Sequence, residues 1–287
     1  MSATEPEAHA QPQEQVTTCY RHADTPTRLR CSRCERPICG RCATPASVGQ
    51  HCPECVAEAR RTAPRVRSAL RGSAPAVFFI LLFNVVVFVA QILSPGGGIT
   101  LRFGLAPLEI AQGEWWRLIT PMFLHSPGFL LHIAMNSIIL MAFGAQVERA
   151  FGTVRFLTIY LITGFVASAT SYAFSACNIL GVGASGAIAG TIGVLLVYLY
   201  KRRRSQFVKA YMNQLIGLIV LNAVIGLMLQ GIDNYAHGGG LAAGIAVGLL
   251  VDRENDPPSP WLQALALAGV LAVGIALTVW RTTTFGC

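Results

Sequence analysis

From residue 76 onward the chain alternates long apolar runs with polar connections, one of them a long loop, 94–127, and few folds can use such a pattern. The runs cover roughly 76–93, 128–147, 153–174, 185–200, 213–230, 236–251 and 261–280. A helix needs about 17 to 25 apolar residues to cross the hydrocarbon layer. Seven spans are therefore expected, with the fourth and sixth near the lower limit. Charged residues make up 13% of the chain, against about 25% in a soluble domain. The expected fold class is an all-α polytopic membrane protein. Residues 1–71 differ: they are polar and rich in Arg and Cys, which marks a small soluble head.

The net charge of +8 reads as topology, and no nucleic-acid partner is expected. Lys and Arg concentrate in the cytoplasmic segments of membrane proteins. With the head inside, the inner segments hold Arg60, Arg61, Arg65, Arg67, Arg71, Arg149, Arg155, Lys201, Arg202, Arg203, Arg204, Lys209 and Arg253. The outer segments hold only Arg102, Arg117 and Arg281. This asymmetry predicts a cytoplasmic N-terminus and an external C-terminus. The acidic, polar N-terminus has no early apolar run, so no signal peptide is expected. Arg far outnumbers Lys, as in GC-rich bacterial genomes, and the expected location is a bacterial plasma membrane.

Residues 1–18 read as a disordered tail with little to bury. Four ligand pairs follow: Cys19-x2-His22, Cys31-x2-Cys34, Cys39-x2-Cys42 and Cys52-x2-Cys55. A two-residue gap lets both side chains of a pair turn onto one ion, and four pairs suit two structural Zn2+ ions. A short, polar segment cannot build a hydrophobic core, so metal would supply its folding energy. A disulfide-bonded head is the alternative, but it needs an oxidising compartment and leaves His22 unused. His51 is not counted, because Cys52 and Cys55 complete the fourth pair. Residues 57–75 read as a basic linker.

Several polar residues fall where a lipid-facing helix would not keep them. His132 and Asn136 are four apart, on one face of the second span. Ser185 opens the fourth span within Gly183-Ala184-Ser185-Gly186, and His237 begins the sixth after Asp233 and Asn234. These three spans all run from outside to inside. His132, Ser185 and His237 therefore share one depth below the outer surface, with Asn136 about 6 Å deeper at 1.5 Å per residue. A hydroxyl, imidazoles and an amide in one layer fit a serine nucleophile, a base and an oxyanion-stabilising pair. Taken singly, each has a plainer reading. Ser185 could be a small packing residue or a helix cap, and His132 with Asn136 an interhelical hydrogen-bond pair. The glycines Gly186, Gly190, Gly240, Gly244 and Gly248 form small-xxx-small stripes that let helices approach closely.

In combination these motifs resemble the rhomboid intramembrane serine proteases, over about residues 76–280. Gly183-Ala184-Ser185-Gly186 is similar to the family's GxSG motif, and Tyr235-Ala236-His237-Gly238-Gly239-Gly240 to its histidine-bearing helix. His132-x3-Asn136 is similar to the second-span pair, Trp116-Arg117 to the Trp-Arg of the first loop, and Gly144-x3-Glu148-x3-Gly152 to a structural motif at the inner end of the second span. The resemblance implies a six-helix core, residues 76–251, with 261–280 as an added C-terminal helix. It implies a Ser185–His237 dyad without a carboxylate partner, and an oxyanion held by the Ser185 N–H, His132 and Asn136. No cofactor is implied for catalysis. Asp233 reads as a cap of the sixth helix, and His125 carries no catalytic role. The sequence departs from many members at Ala189, where an aromatic residue usually packs on the catalytic histidine. The head, 19–56, resembles a B-box zinc finger, which implies Cys19, His22, Cys39 and Cys42 on one ion and Cys31, Cys34, Cys52 and Cys55 on the other.

The leading expectation is a serine endopeptidase that cleaves single-span membrane proteins within the lipid bilayer. The alternative is a non-catalytic binding or quality-control factor on the same fold. A transporter ranks third, because no internal repeat or mid-depth polar site is evident. The zinc head could bind a cytoplasmic protein partner.

Overall fold

A computed structural model describes residues 17–46, 48–62, 73–229, 231–251 and 260–286. The chain divides into two compact units, Met1–Arg67 and Ser68–Cys287. Residues 1–16 of the expected disordered tail, most of the linker, Arg253 and Cys287 lie outside the described residues, while Thr17 and Thr18, expected in that tail, are paired in a strand.

In the first unit, β1 (Thr17–Cys19) pairs antiparallel with β2 (His22–Thr27), and β3 (Thr44–Pro45) with β4 (Gln50–His51). Helix α1 (Pro53–Thr62) follows. Residues 57–62 are thus helical and extend the unit beyond residue 56, the boundary expected for the finger. Pro53 suits a first helical turn, and Glu54 there favours the helix dipole. The interior is almost entirely sulfur. Cys19, Cys31, Cys39, Cys42, Cys52 and Cys55 are buried around one aliphatic residue, Ile38.

The second unit begins with α2 (Pro75–Leu93). The following segment, expected as a plain loop, contains α3 (Gly98–Phe103), α4 (Pro107–Ala111) and two 3-10 turns at Trp115–Leu118 and Thr120–Phe123. Helix α5 (Leu130–Ile139) passes through a π-helical stretch at Leu140–Gly144 into α6 (Ala145–Phe151). Helices α7 (Thr153–Phe174), α8 (Ser185–Lys201), α9 (Gln206–Met228), α10 (Asn234–Val251) and α11 (Pro260–Thr283) complete it. Among the described residues, five segments are long and apolar enough to cross a membrane: 75–93, 130–151, 153–174, 206–228 and 260–283. The helix α8, with 17 residues, is a shorter apolar helix, and glycine-rich α10 has 18. The fold is that of an integral, polytopic all-α membrane protein.

The fifth run starts seven residues earlier than its hydropathy implies. The Ser205 hydroxyl accepts from the Val208 N–H at 3.2 Å and caps α9, so Lys209 lies in the helix, not in a loop. Helix α7 is the hub, packed against α8, α10 and α11. Two buried charges tie the unit together. The Glu148 carboxylate accepts from the Ala76 and Val77 N–H groups, both at 2.9 Å, and from the Thr153 hydroxyl at 2.8 Å. A carboxylate at the amino end of α2 satisfies donors that the helix itself cannot. Arg117, in the loop after the first span, is the second of them and is 4% exposed. It donates to Glu114 at 2.6 Å and to the Leu101 and Gly104 carbonyls, both at 2.8 Å, closing the end of α3. Trp115 and Trp116 remain exposed beside it.

Candidate active site

Ser185 is the first residue of α8, and the backbone leading to it is tightly held. Leu105 and Gly181 exchange two backbone hydrogen bonds of 2.8 Å, and the Gly183 N–H donates to the Pro121 carbonyl at 2.9 Å. Gly183 has φ +138°, a conformation open to glycine at little cost. A Cβ there would also lie 2.8 Å from His132 Nε2 and 3.5 Å from Ser185 Oγ. The imidazole edge and the hydroxyl thus flank the same glycine.

His132 stands in the first turn of α5. The Ser126 N–H donates to its Nδ1 at 3.4 Å. With Nδ1 accepting, the ring proton belongs on Nε2, the nitrogen beside Gly183. Asn136, one turn further and buried, donates from Nδ2 to the His132 carbonyl at 2.8 Å. That amide carries a second N–H. The His125 ring, fully buried, packs edge-on against His132 with centroids 5.3 Å apart. Burial, reinforced by His132, pushes the His125 pKa down to about 4, so it is neutral at physiological pH.

His237 lies in the first turn of α10, and its Nδ1 is buried without a hydrogen-bond partner among the described residues. Asp233 does not serve it. One Asp233 oxygen accepts the Ala236 N–H at 2.9 Å, capping α10, and the other accepts the Ser171 hydroxyl at 2.5 Å. Ser185 and His237 are brought close because α8 and α10 nearly touch along their glycines. A Cβ on Gly240 would lie 2.1 Å from the Gly186 carbonyl oxygen, and one on Gly244 1.9 Å from that of Gly190.

Asn136, Ser185, Ala189, Asn222, Asn234 and His237 line one mostly apolar cavity of about 270 Å³. Among the described residues no aromatic ring stacks on His237; small Ala189 opens this space instead. Helix α9 forms one wall and is lightly held, with only Leu215 and Gly226 buried. Asn234 Nδ2 donates to the Gly226 carbonyl at 2.7 Å and links α9 to α10. A hydroxyl, an imidazole and amide groups thus border one mostly apolar space.

The first unit gathers two further groups: Cys19, His22, Cys39 and Cys42, and Cys31, Cys34, Cys52 and Cys55. Within each, the ligand atoms lie within 4.8 Å of one another. His22 Nδ1 is 3.7, 3.4 and 3.3 Å from the sulfurs of Cys19, Cys39 and Cys42, and Cys34 Sγ is 3.7 Å from Cys52 Sγ. A tetrahedral ion with Zn–S of about 2.3 Å and Zn–N of about 2.0 Å separates its ligands by about 3.6 to 3.8 Å. The donor sets and spacings therefore fit a metal. All seven head cysteines are free thiols, and His51 stands apart in β4, in neither group.

Sequence comparisons place the chain in a family. The family model described as "Rhomboid domain" matches residues 112–254. The chain is similar to the rhomboid protease GluP of Bacillus subtilis, 40% identical over 167 residues, which are 58% of this chain and 32% of that protein. It is similar to Rhomboid-like protease 1 of Toxoplasma gondii, 32% identical over 195 residues, 64% of each chain. It is also similar to the rhomboid protease AarA of Providencia stuartii, 30% identical over 210 residues, 62% of this chain and 73% of that one. The chain spans less than two thirds of the length of the first two. The matched region carries Ser185, His237, His132 and Asn136 together, and the chain belongs to the rhomboid family.

Proposed function

We propose that the chain is an intramembrane serine endopeptidase working through a Ser185–His237 dyad. The observation that supports this reading is the shared cavity. It joins Ser185, His237 and Asn136, with His132 Nε2 and Ser185 Oγ flanking Gly183. Ser185 Oγ attacks the scissile carbonyl while His237 takes its proton. His237 then returns that proton to the leaving amine, and water hydrolyses the acyl-enzyme by the same path in reverse. The negative oxygen of each tetrahedral intermediate is held by the Ser185 N–H, the His132 Nε2–H and the second Asn136 N–H. One such donor contributes about 10²- to 10³-fold in rate. Among the described residues Asp233 does not complete a triad, since its two oxygens are engaged elsewhere.

The substrates are single-span membrane proteins in the bilayer, cut near the outer face, because the dyad stands at the outer ends of α8 and α10 when the basic segments are cytoplasmic. The same charge bias supports a head in the cytoplasm, and the excess of Arg over Lys supports a bacterial plasma membrane. The head is a B-box-like Zn2+ domain with the two ligand groups described above, available to a cytoplasmic partner. Its sulfur-lined interior supports zinc as the source of its stability. Purified protein in detergent is tested on a single-span reporter, with Ser185→Ala and a fluorophosphonate probe in parallel. Ser185-dependent cleavage and labelling are expected. Equal cleavage by Ser185→Ala would refute the dyad, and folded protein that neither cleaves nor labels would favour the non-catalytic factor. Elemental analysis is expected to find two zinc ions per chain.

A further inference from the structure

A buried amide in the first span leads to the loop that carries His132. Gln91 lies near the end of α2 and is 2% exposed. Its side chain makes three hydrogen bonds. Nε2 donates to the His125 carbonyl at 2.9 Å and to Thr100 Oγ1 at 2.8 Å, while Oε1 accepts the His125 N–H at 3.0 Å. The amide thus grips both backbone groups of a single residue, as a neighbouring strand would. Residues 124–126 have no regular secondary structure, so no ladder holds this backbone. The next residue, Ser126, supplies the N–H that reaches His132 Nδ1 at 3.4 Å. That long bond survives only while the loop is held still. The buried His125 ring, carried by the same residue that Gln91 grips, packs against the His132 ring.

We propose that Gln91 is a positioning residue of the oxyanion site. By clamping the His125 backbone it keeps the Ser126 N–H on His132 Nδ1, and so keeps His132 in the tautomer whose Nε2–H faces Ser185. A group in the first span thereby controls a donor in the second through two loop residues. The effect on rate rests on the protease reading; the effect on the tautomer does not.

The test uses the full-length protein in detergent with 15N-labelled histidine, the His132 resonances being assigned by their loss in His132→Ala. In wild type the His132 signals are those of the Nε2–H tautomer. Gln91→Met, similar in size but unable to clamp the loop, is expected to mix the two tautomers. It should lower kcat about 10- to 100-fold with KM unchanged. In the His132→Ala background the same substitution should cost no further rate, because Gln91 acts through His132. Gln91→Glu keeps an acceptor for the His125 N–H and should restore part of kcat; it carries the same readouts if Gln91→Met does not fold. An unchanged tautomer overturns the proposal, as does an equal loss of rate with or without His132. If wild type shows no Ser185-dependent cleavage, the protease reading fails, and the tautomer comparison still decides the role of Gln91.

Discussion

The contact between α8 and α10 makes the sharpest prediction. Gly240→Ala adds a methyl 2.1 Å from the Gly186 carbonyl oxygen, a backbone atom that cannot rotate away. Carbon–oxygen contacts begin at about 3 Å, so the helices must part by about 1 Å in a close-packed interior. Overpacking of this kind costs about 1 to 3 kcal/mol. The better helix propensity of Ala offsets about 1 kcal/mol of it. A net loss of about 0 to 2 kcal/mol corresponds to a fall of up to about 8 °C in Tm. The rate should suffer more. Gly186 follows Ser185, and Gly240 stands one turn beyond His237, so the parting acts directly on the proposed dyad. A misplacement of about 1 Å between reacting groups costs about 10²-fold, equivalent to about 2.7 kcal/mol of barrier. Thermal unfolding and single-turnover cleavage of Gly240→Ala are compared with Gly217→Ala, where an added methyl meets nothing within 4 Å. The control should match wild type in rate and gain up to about 1 kcal/mol. Wild-type Tm and wild-type cleavage in Gly240→Ala would refute the close-approach argument.

Other outcomes follow from single contacts. Glu148→Ala leaves the Ala76 and Val77 N–H groups buried without their acceptor; a loss of about 2 to 4 kcal/mol is expected by denaturant unfolding. Asn234→Ala removes the bond to the Gly226 carbonyl, and about 1 kcal/mol of lost restraint should speed amide exchange in α9 about fivefold. Chelation of bound metal should collapse the chemical-shift dispersion of residues 17–62 and leave the unfolding transition of the membrane unit unchanged. In the first loop, a hydrogen bond from Arg117, against partial desolvation, and another from Arg102 hold the Glu114 carboxyl below its ordinary 4.5. Its contribution is therefore complete above pH 4.5 and is lost as pH falls through the lower folded value. Trp115 and Trp116 fluorescence should report that loosening, and Glu114→Gln should flatten the response.

The apolar runs were legible because hydrocarbon demands continuous apolar length, and the third run, 153–174, coincides with α7. Length alone could not say where α9 begins, since Ser205 caps it within polar sequence. The loop after the first span was the least legible part. Its short helices are fixed by Arg117 and by the Leu105–Gly181 bridge, which are contacts between residues 13 to 76 positions apart. Gln91 left one signal in sequence, an amide within an apolar run, but its partner at His125 could not be read there.

For the candidate site, the sequence led to an expectation of common depth, because Ser185, His132 and His237 each fall in the first turn or two of a span expected to run from outside to inside. Motif resemblance supplied their roles. Only the tertiary structure decided how the atoms face one another. It turns His132 Nε2 toward Gly183, commits Asp233 to Ser171 and Ala236, and leaves His237 Nδ1 without a partner among the described residues. The physical reason is range. Hydropathy and charge act along the chain and set which residues enter the membrane and how far. Hydrogen bonds and glycine contacts act over about 3 Å between segments distant in sequence, and they exist only once the helices have packed.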